Sequence, residues 1–490
     1  MLRSWDLNLH ITKSSGVVVY LQIAQQIIDE IQRGRLVPSA AMPGSRELAE
    51  SLKVNRKTIV LAYDELIAQG WLTTESRRGT FVSAKLPHFS PPNQSNKDLK
   101  QRVTETPTPV LEKYASTIAV ENFSHLIDFN DGIPDTRLIP FETISKAFRH
   151  ALIEPIRSNK LGYGDPKGML SLRHALSEML NMERGLSVDI DNICIARGSQ
   201  MGIFLAARVL AKPNEYVVVE NLSYPPAREA FRSCGAKILT VGLDQNGINV
   251  NELEALCKKY PISAIYVTPH HQFPTTVMMT AERRLKLLML AEQYDFVIVA
   301  DDYDHEFHFH HHPVFPLASS NHAGRVIYVG SLSKVLAPGL RVGYLVASKE
   351  IINQCASEVM LIDRQGNSVT ELAVAALLES GEIKRHIRRT LKVYNERRNV
   401  LIDLLRNELG KFINFDSPNG GLAIWLRLND GIEISKLVQN ALLEKVKILP
   451  GSLFCESQHH INGIRLGFGS LNSNELTTGI HRLQRAFIYK

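Results

Sequence analysis

Ser331-Leu332-Ser333-Lys334, followed by Pro338-Gly339-Leu340-Arg341-Val342-Gly343, sets a lysine just after a β-branched run, hydroxyls before it and an arginine seven residues on. A lysine amine condenses with an aldehyde, and hydroxyls and a guanidinium hold a dianionic phosphate. That combination suits pyridoxal phosphate: Lys334 as covalent anchor, Ser331 and Arg341 as phosphate ligands, Ser333 as a further hydroxyl candidate. Upstream, Ile298-Val299-Ala300-Asp301-Asp302-Tyr303 reads as a buried strand ending in an acid and a phenol. Asp301 can pair with the pyridinium nitrogen and keep the ring an electron sink, while Tyr303 can hydrogen-bond the ring hydroxyl. Gly198-Ser199-Gln200 opens a helix whose unpaired first-turn N–H groups and dipole form a phosphate seat. Tyr224, in Asn221-Leu222-Ser223-Tyr224-Pro225, is placed to stack on the ring.

A second constellation lies near the N-terminus. Asn55-Arg56-Lys57-Thr58 opens an apolar-periodic helix preceded by a short helix carrying Arg46. In a helix-turn-helix the second helix presents its first residues to the major groove, where Arg and Lys reach phosphates or guanine and Thr a phosphate or a thymine methyl. Arg77, Arg78 and Gly79 separate two strand-like runs, Trp71–Glu75 and Thr80–Ser83, as the tip of a wing. These eight residues are the candidate DNA contacts. His305, His308, His310, His311 and His312 show no converging ligand pattern or supporting shell, so they read as a solvated loop and no metal is expected.

The elements that must position these residues follow from periodicity. Ala24, Ile27, Ile28 and Ile31 make one helical stripe; Leu48, Ala49 and Leu52 follow a helix start at Ser45, an N-cap type; Ile59, Ala62, Tyr63, Leu66 and Ile67 share a face ended by Gly70. Residues 13–83 are therefore expected to form a mainly α winged helix-turn-helix. Residues 84–124, rich in Pro, Ser, Asn and Thr, read as a linker. From 125 to 490, β-branched runs (216–219, 238–241, 264–268, 296–300, 325–329, 343–347) alternate with helical stretches. That predicts an α/β body with a mainly parallel sheet, a large part to about 370 and a small C-terminal part from about 371, with strands near 421–428 and 464–468.

Composition bounds the reading. The chain has 490 residues, 44% hydrophobic and 22% charged, which excludes wholesale disorder. No apolar run is long enough for a membrane span, and Met1-Leu2-Arg3-Ser4-Trp5-Asp6 lacks the core of a signal peptide. Five scattered cysteines without a C-x-x-C pair point to reduced packing residues and a cytoplasmic setting. Residues 1–104 carry 14 Lys and Arg against 9 Asp and Glu, so +5 of the net +6 sits in the N-terminal stretch of head and early linker, as a polyanion-binding module requires.

Two resemblances sharpen these expectations. Tyr20-Leu21-Gln22-Ile23-Ala24, Met42-Pro43-Gly44-Ser45-Arg46-Glu47-Leu48-Ala49, Val54-Asn55-Arg56-Lys57-Thr58-Ile59 and Gly79-Thr80-Phe81-Val82 resemble the GntR-type winged-helix domain. Ser199, Tyr224, Asp301, Tyr303, Lys334 and Arg341 resemble, in order and spacing, the fold-type I aminotransferases. The latter resemblance implies that Tyr163 reaches the phosphate of a neighbouring subunit and that Arg465, in Gly463-Ile464-Arg465-Leu466-Gly467, grips a substrate carboxylate. One departure stands out: in Thr268-Pro269-His270-His271-Gln272-Phe273-Pro274-Thr275-Thr276, Phe273 replaces the Asn that bonds the ring hydroxyl, leaving His271 or Gln272 as the polar contact. Head, linker and body together resemble the MocR subfamily of transcription regulators. This implies a cytoplasmic homodimer reading two half-sites of double-stranded DNA, with an amine, an amino acid or pyridoxal phosphate itself as effector. The alternative is an active aminotransferase carrying a DNA-binding module.

Overall fold

The computed structural model describes residues 9–12, 16–76, 78–86, 126–157, 162–309, 314–320, 323–456 and 461–488. Arg77, most of the linker expected over 84–124, and His310, His311 and His312 lie outside the described residues. The chain divides near residue 120 into two compact units.

In the first unit, α1 (Val19–Gln32) buries Ile23, Ala24, Ile27, Ile28 and Ile31 along one stripe. It meets α3 (Arg56–Ala68), which buries Ile59, Ala62, Tyr63 and Leu66. Between them lies the one-and-a-half-turn α2 (Ser45–Ser51), whose N-cap is Gly44 with no side-chain cap. Ser45 is therefore the first helical residue and not the cap that its type predicts; its hydroxyl accepts from Arg56 Nε at 3.3 Å and ties α2 to α3. The buried Tyr63 hydroxyl donates to the Pro43 carbonyl at 2.9 Å and fixes the turn into α2. Antiparallel β1 (Leu72–Glu75) and β2 (Gly79–Val82) form the wing, with Ala41 bridging Phe81 on the far side.

The second unit is built on a seven-stranded sheet. Its strands are β3 (Ile193–Ala196), β4 (Tyr216–Glu220), β5 (Lys237–Val241), β6 (Ile262–Val267), β7 (Val297–Asp302), β8 (Val326–Ser331) and β9 (Gly343–Val346), in the order β3-β9-β8-β7-β6-β4-β5. The pairs within β5-β4-β6-β7-β8 are parallel, and β9 runs antiparallel to both neighbours. β3 is the strand that periodicity missed. Ile193-Cys194-Ile195-Ala196 is four residues long and buried on both faces, so it carries no alternation. Helices cover both faces, among them Gly198–Leu210, which buries Ile203, Leu205, Ala206 and Ala207. Each large aliphatic buried this way contributes about 1.5–3 kcal/mol. A smaller antiparallel sheet, centred on Ala423–Leu428 paired with Gly463–Gly467, packs against the long helix Glu382–Leu404 and the helix Ser473–Ile488.

This topology fixes where chemistry can occur. β7 and β8 are parallel neighbours with Asp301 opposite Val329 and Asp302 opposite Gly330. Their carboxyl ends, carrying Asp301 and the Ser331–Lys334 loop, therefore open at the same edge, where ligands bind in open parallel sheets. Among the described residues, no helix is long and apolar enough to cross a membrane. All five cysteines are free.

Candidate functional site

Asp301 closes β7 with only 4% of its surface exposed. One carboxylate oxygen, Oδ2, accepts from the Tyr266 hydroxyl at 2.8 Å; the other, Oδ1, is buried without a partner. Burial pushes its pKa up to about 7, with the Tyr266 hydrogen bond and the Lys334 ammonium working against the rise. The next residue, Asp302, is treated in the opposite way. His305 and the Tyr328 hydroxyl both bond its Oδ2 at 2.7 Å, and neighbouring His and Arg groups hold its carboxyl well below the usual range despite burial. Each of the two adjacent aspartates leaves Oδ1 without a hydrogen bond, and they differ in charge environment: His and Arg groups hold Asp302 ionised, whereas burial raises Asp301.

Lys334 follows β8 and is partly buried. Its Nζ stands 4.3 Å from the centre of the Tyr303 ring, and burial lowers its pKa against the pull of Asp131, Asp304 and Asp301. The Tyr303 hydroxyl donates to the His271 carbonyl at 3.1 Å. Tyr224 caps the helix Pro225–Ser233 and meets Phe273 edge to face at 5.3 Å; burial raises its phenol to about 12, with Asp131 as the next contributor.

The expected phosphate seat is a close backbone crossing. Gly198 (φ +76°) opens its helix against Arg341, and a Cβ placed there would lie 2.7 Å from Arg341 Nη2. A Cβ on Gly343 would lie 2.5 Å from the Gly198 carbonyl carbon and 2.8 Å from the Ser199 nitrogen. Arg341 donates to the Arg197 carbonyl at 3.0 Å, and Ser331 Oγ accepts the Ser333 N–H at 3.3 Å. The helix N-terminus and Arg341 meet at one backbone crossing, Ser331 ends the strand beside Asp301, and Asp301, Lys334, Tyr224 and Arg341 are linked by their charges. This set fits an aromatic aldehyde with a ring nitrogen and a phosphate.

Other expected residues stand elsewhere or are otherwise engaged. The Ser333 hydroxyl accepts the Val342 N–H at 3.1 Å and donates to its carbonyl at 3.2 Å, so it closes the loop between β8 and β9. Gln200 Nε2 donates to the Pro226 carbonyl at 3.2 Å, tying two helices together. The His271 ring turns toward Asp304, Nδ1 to Oδ1 2.8 Å, and only its main-chain carbonyl meets Tyr303. Gln272 Nε2 reaches Glu220 and the Leu222 carbonyl, which makes it a brace of the loop. Tyr163 is 79% exposed, with the Arg364 guanidinium 4.1 Å from its ring centre.

Arg465 is 1% exposed. Main-chain carbonyls hold it: Asp131 O accepts from Nε at 3.0 Å and Pro274 O from Nη1 at 2.6 Å, while Phe273 underlies the guanidinium at 4.6 Å. Among the described residues no carboxylate pairs with it, so its charge is open to an anionic ligand. One reading is corrected by burial. His305 is not solvated: it is 5% exposed and bonded to Asp302. With His270 and Asp302 its donor atoms lie within 4.8 Å of one another, His305 through its hydrogen bond to Asp302 Oδ2 and His270 Nδ1 at 3.7 Å from Oδ1. Arg228 is likewise interior: it is 7% exposed, donates to the Phe454 carbonyl at 3.1 Å and pairs with Glu456 at 2.9 Å. Asp131 escaped the sequence reading altogether; an acid in the turn Asn130-Asp131-Gly132-Ile133-Pro134 was its only signal.

In the head, Arg46, Asn55, Arg56 and Lys57 are exposed and Thr58 is partly buried. Asn55 caps α3, its Oδ1 accepting the Lys57 N–H at 2.9 Å. Gly79 takes φ +116° at the wing tip. Arg78 lies 5.6 Å over the Phe81 ring and pairs with Glu75 at 2.5 Å.

Comparison with known proteins agrees with both units. Residues 124–488 match the model of aminotransferase class I and II, and residues 19–82 match that of the bacterial regulatory proteins of the gntR family. The probable rhizopine catabolism regulatory protein MocR of Rhizobium meliloti is 28% identical, covering 98% of this chain and 96% of its own. The pyridoxine biosynthesis transcriptional regulator PdxR of Corynebacterium glutamicum is 27% identical over 96% of each. Among solved structures, Pyrococcus horikoshii kynurenine aminotransferase, in complex with PMP, superposes with a TM-score of 0.69 at 31% identity, covering 74% of this chain and 91% of that one.

Proposed function

The chain belongs to the aminotransferase class I and II family and, through its gntR head, to the MocR-type transcription regulators, and from that premise we propose that Lys334 anchors pyridoxal phosphate in a sensor of amino compounds. It is a DNA-binding regulator with a pyridoxal phosphate site. The observation that carries the site assignment is the buried Asp301 carboxyl, raised by desolvation, with Oδ1 unpartnered and the Lys334 ammonium acting on it.

When bound, the cofactor supplies an electrophilic carbon to a ligand amine and an electron-withdrawing ring. The protein's own groups do the rest. Asp301 Oδ1 takes the ring N–H, with Tyr266 holding the other oxygen. Ser331, Arg341 and the first turn of the helix at Gly198–Gln200 bind the phosphate; Ser333 and Gln200 hold the loops that carry them. Tyr224 stacks on the ring, and Tyr303, rather than the His271 ring, answers the ring hydroxyl. Arg465 holds a ligand carboxylate. The exposed Tyr163 supports a homodimer in which it serves the partner's phosphate. Arg46, Asn55, Arg56, Lys57, Thr58, Arg78 and Gly79, with Arg77, form the DNA-facing surface, and a dimer presents two of them to two half-sites.

The test is operator-fragment binding by apo protein titrated with pyridoxal phosphate and then with candidate amines, at several salt concentrations. A shift in affinity on ligand addition is expected; identical binding with and without both would refute sensing. A second reading, a working aminotransferase, is favoured by one observation: burial lowers Lys334, which suits a base. Sustained keto-acid production over many turnovers would select it.

A further inference from the structure

The ligand side of the crevice contains an acid for which the reading above has no use. Asn130 Oδ1 accepts the N–H groups of Gly132 and Ile133 at 2.9 and 2.8 Å, and its Nδ2 donates to Ser470 at 2.7 Å, so the turn carrying Asp131 is fixed on both sides. The Asp131 carbonyl holds Arg465 Nε at 3.0 Å, and Gly132 passes within van der Waals reach of Arg465 Nη2. Asp131 therefore stands beside the guanidinium that awaits a carboxylate. Its own carboxylate is partly buried, and none of the described residues forms a hydrogen bond or ion pair with it. Among the acids around the Lys334 ammonium it acts most strongly, ahead of Asp304 and Asp301, and it also raises Tyr224. The turn thus sets Asp131 against the carboxylate-binding arginine, and its charge bears on the lysine and the stacking tyrosine.

Resting on the proposed sensor function, we infer that Asp131 is the specificity-determining residue of the effector site and selects an amino acid bearing a second, cationic nitrogen. A ligand whose amine points to Lys334 and whose carboxylate lies on Arg465 sends its remaining substituent past Asp131. An ammonium or guanidinium there gains a charge-assisted hydrogen bond. An apolar chain leaves the acid without a partner, and a second carboxylate meets like charge in a half-buried setting. Asp304 does not substitute, because it is buried beneath His271, which it bonds at 2.8 Å, whereas Asp131 is only partly buried.

Calorimetric titration of free lysine, norleucine and glutamate into the full-length holo-protein tests this. Norleucine has the chain of lysine without its terminal nitrogen, so the pair isolates the charge. Lysine should bind roughly tenfold or more tightly than norleucine, with glutamate weakest. In Asp131→Asn the lysine–norleucine ratio should fall toward one, while cofactor uptake on Lys334, fixed with borohydride and read by mass, stays intact and shows that the variant is folded. Equal binding of lysine and norleucine by wild type, or a preference that survives in D131N, would overturn the inference while leaving the sensor function standing. Absence of any borohydride-fixed adduct in wild type would instead sink the parent reading, and this inference with it.

Discussion

Asp301→Asn removes a carboxylate from a place where burial holds its pKa at about 7, against an unfolded-chain value of about 3.9. Between those values the folded apo protein retains a proton that the unfolded chain has released. Stability then falls as pH rises, because the native state binds more protons. The asparagine variant has no such proton to lose, and its amide oxygen still accepts the Tyr266 hydroxyl. Each pKa unit is worth about 1.4 kcal/mol, so from about pH 5 to about pH 7 the variant should gain roughly 2.7 kcal/mol relative to wild type, then level off. No discount for solvent screening applies, since Asp301 is 4% exposed. Titrations common to both proteins, including that of the buried Glu220, cancel in the difference. Urea unfolding of the two apo proteins across this range reads the gap directly. A gap that stays flat within about 0.5 kcal/mol would refute the claim that Asp301 is kept desolvated for a ligand. Added pyridoxal phosphate at about pH 8 should raise the unfolding midpoint of wild type well above that of D301N.

Three further outcomes are expected. Gly343→Ala puts a methyl group 2.5 Å from the Gly198 carbonyl carbon, so it should cost about 1–3 kcal/mol and weaken pyridoxal phosphate binding; unchanged affinity by spectroscopic titration would dismiss the backbone crossing as the phosphate seat. In the head, Lys57→Ala should weaken binding to every duplex and lower the salt slope by about one, whereas Asn55→Ala should first cost about 1 kcal/mol of head stability through the lost cap; fluorescence anisotropy and thermal melts separate the two. Thr276 holds φ +63°, a region costly for a β-branched residue, so Thr276→Gly should stabilise the body by up to about 1 kcal/mol; a lower melting temperature would count against strain there.

Local pattern carried far in this chain. The helical stripes of α1 and α3 and the wing strands around Arg78-Gly79 depend on residues a few positions apart, so spacing alone reveals them. The same holds for β4 to β9, whose runs are β-branched and bounded by loops. It fails for β3, buried on both faces and too short to alternate. In the site, Lys334, Asp301, Tyr303 and Arg341 were legible because each sits at a strand end or loop that the sequence announces. Ser333 and Gln200 were legible as polar residues near the cofactor crevice, yet their bonds go to Val342 and Pro226, partners fixed only by how loops cross.

From sequence alone came the two-module order, the strand-and-helix alternation, and the lysine proposed as the anchor with the acid that precedes it. Those properties are written in short intervals of the chain. Tertiary structure decided the rest: that burial raises Asp301 while His and Arg groups lower Asp302, that His271 turns to Asp304, that Arg228 and His305 are interior, and that Asp131 lies beside Arg465 and bears on Tyr224 and Lys334. Desolvation and charge pairing depend on what surrounds a group in three dimensions, and here the deciding neighbours come from other strands and loops, for Asp131 and Arg228 from positions more than two hundred residues away.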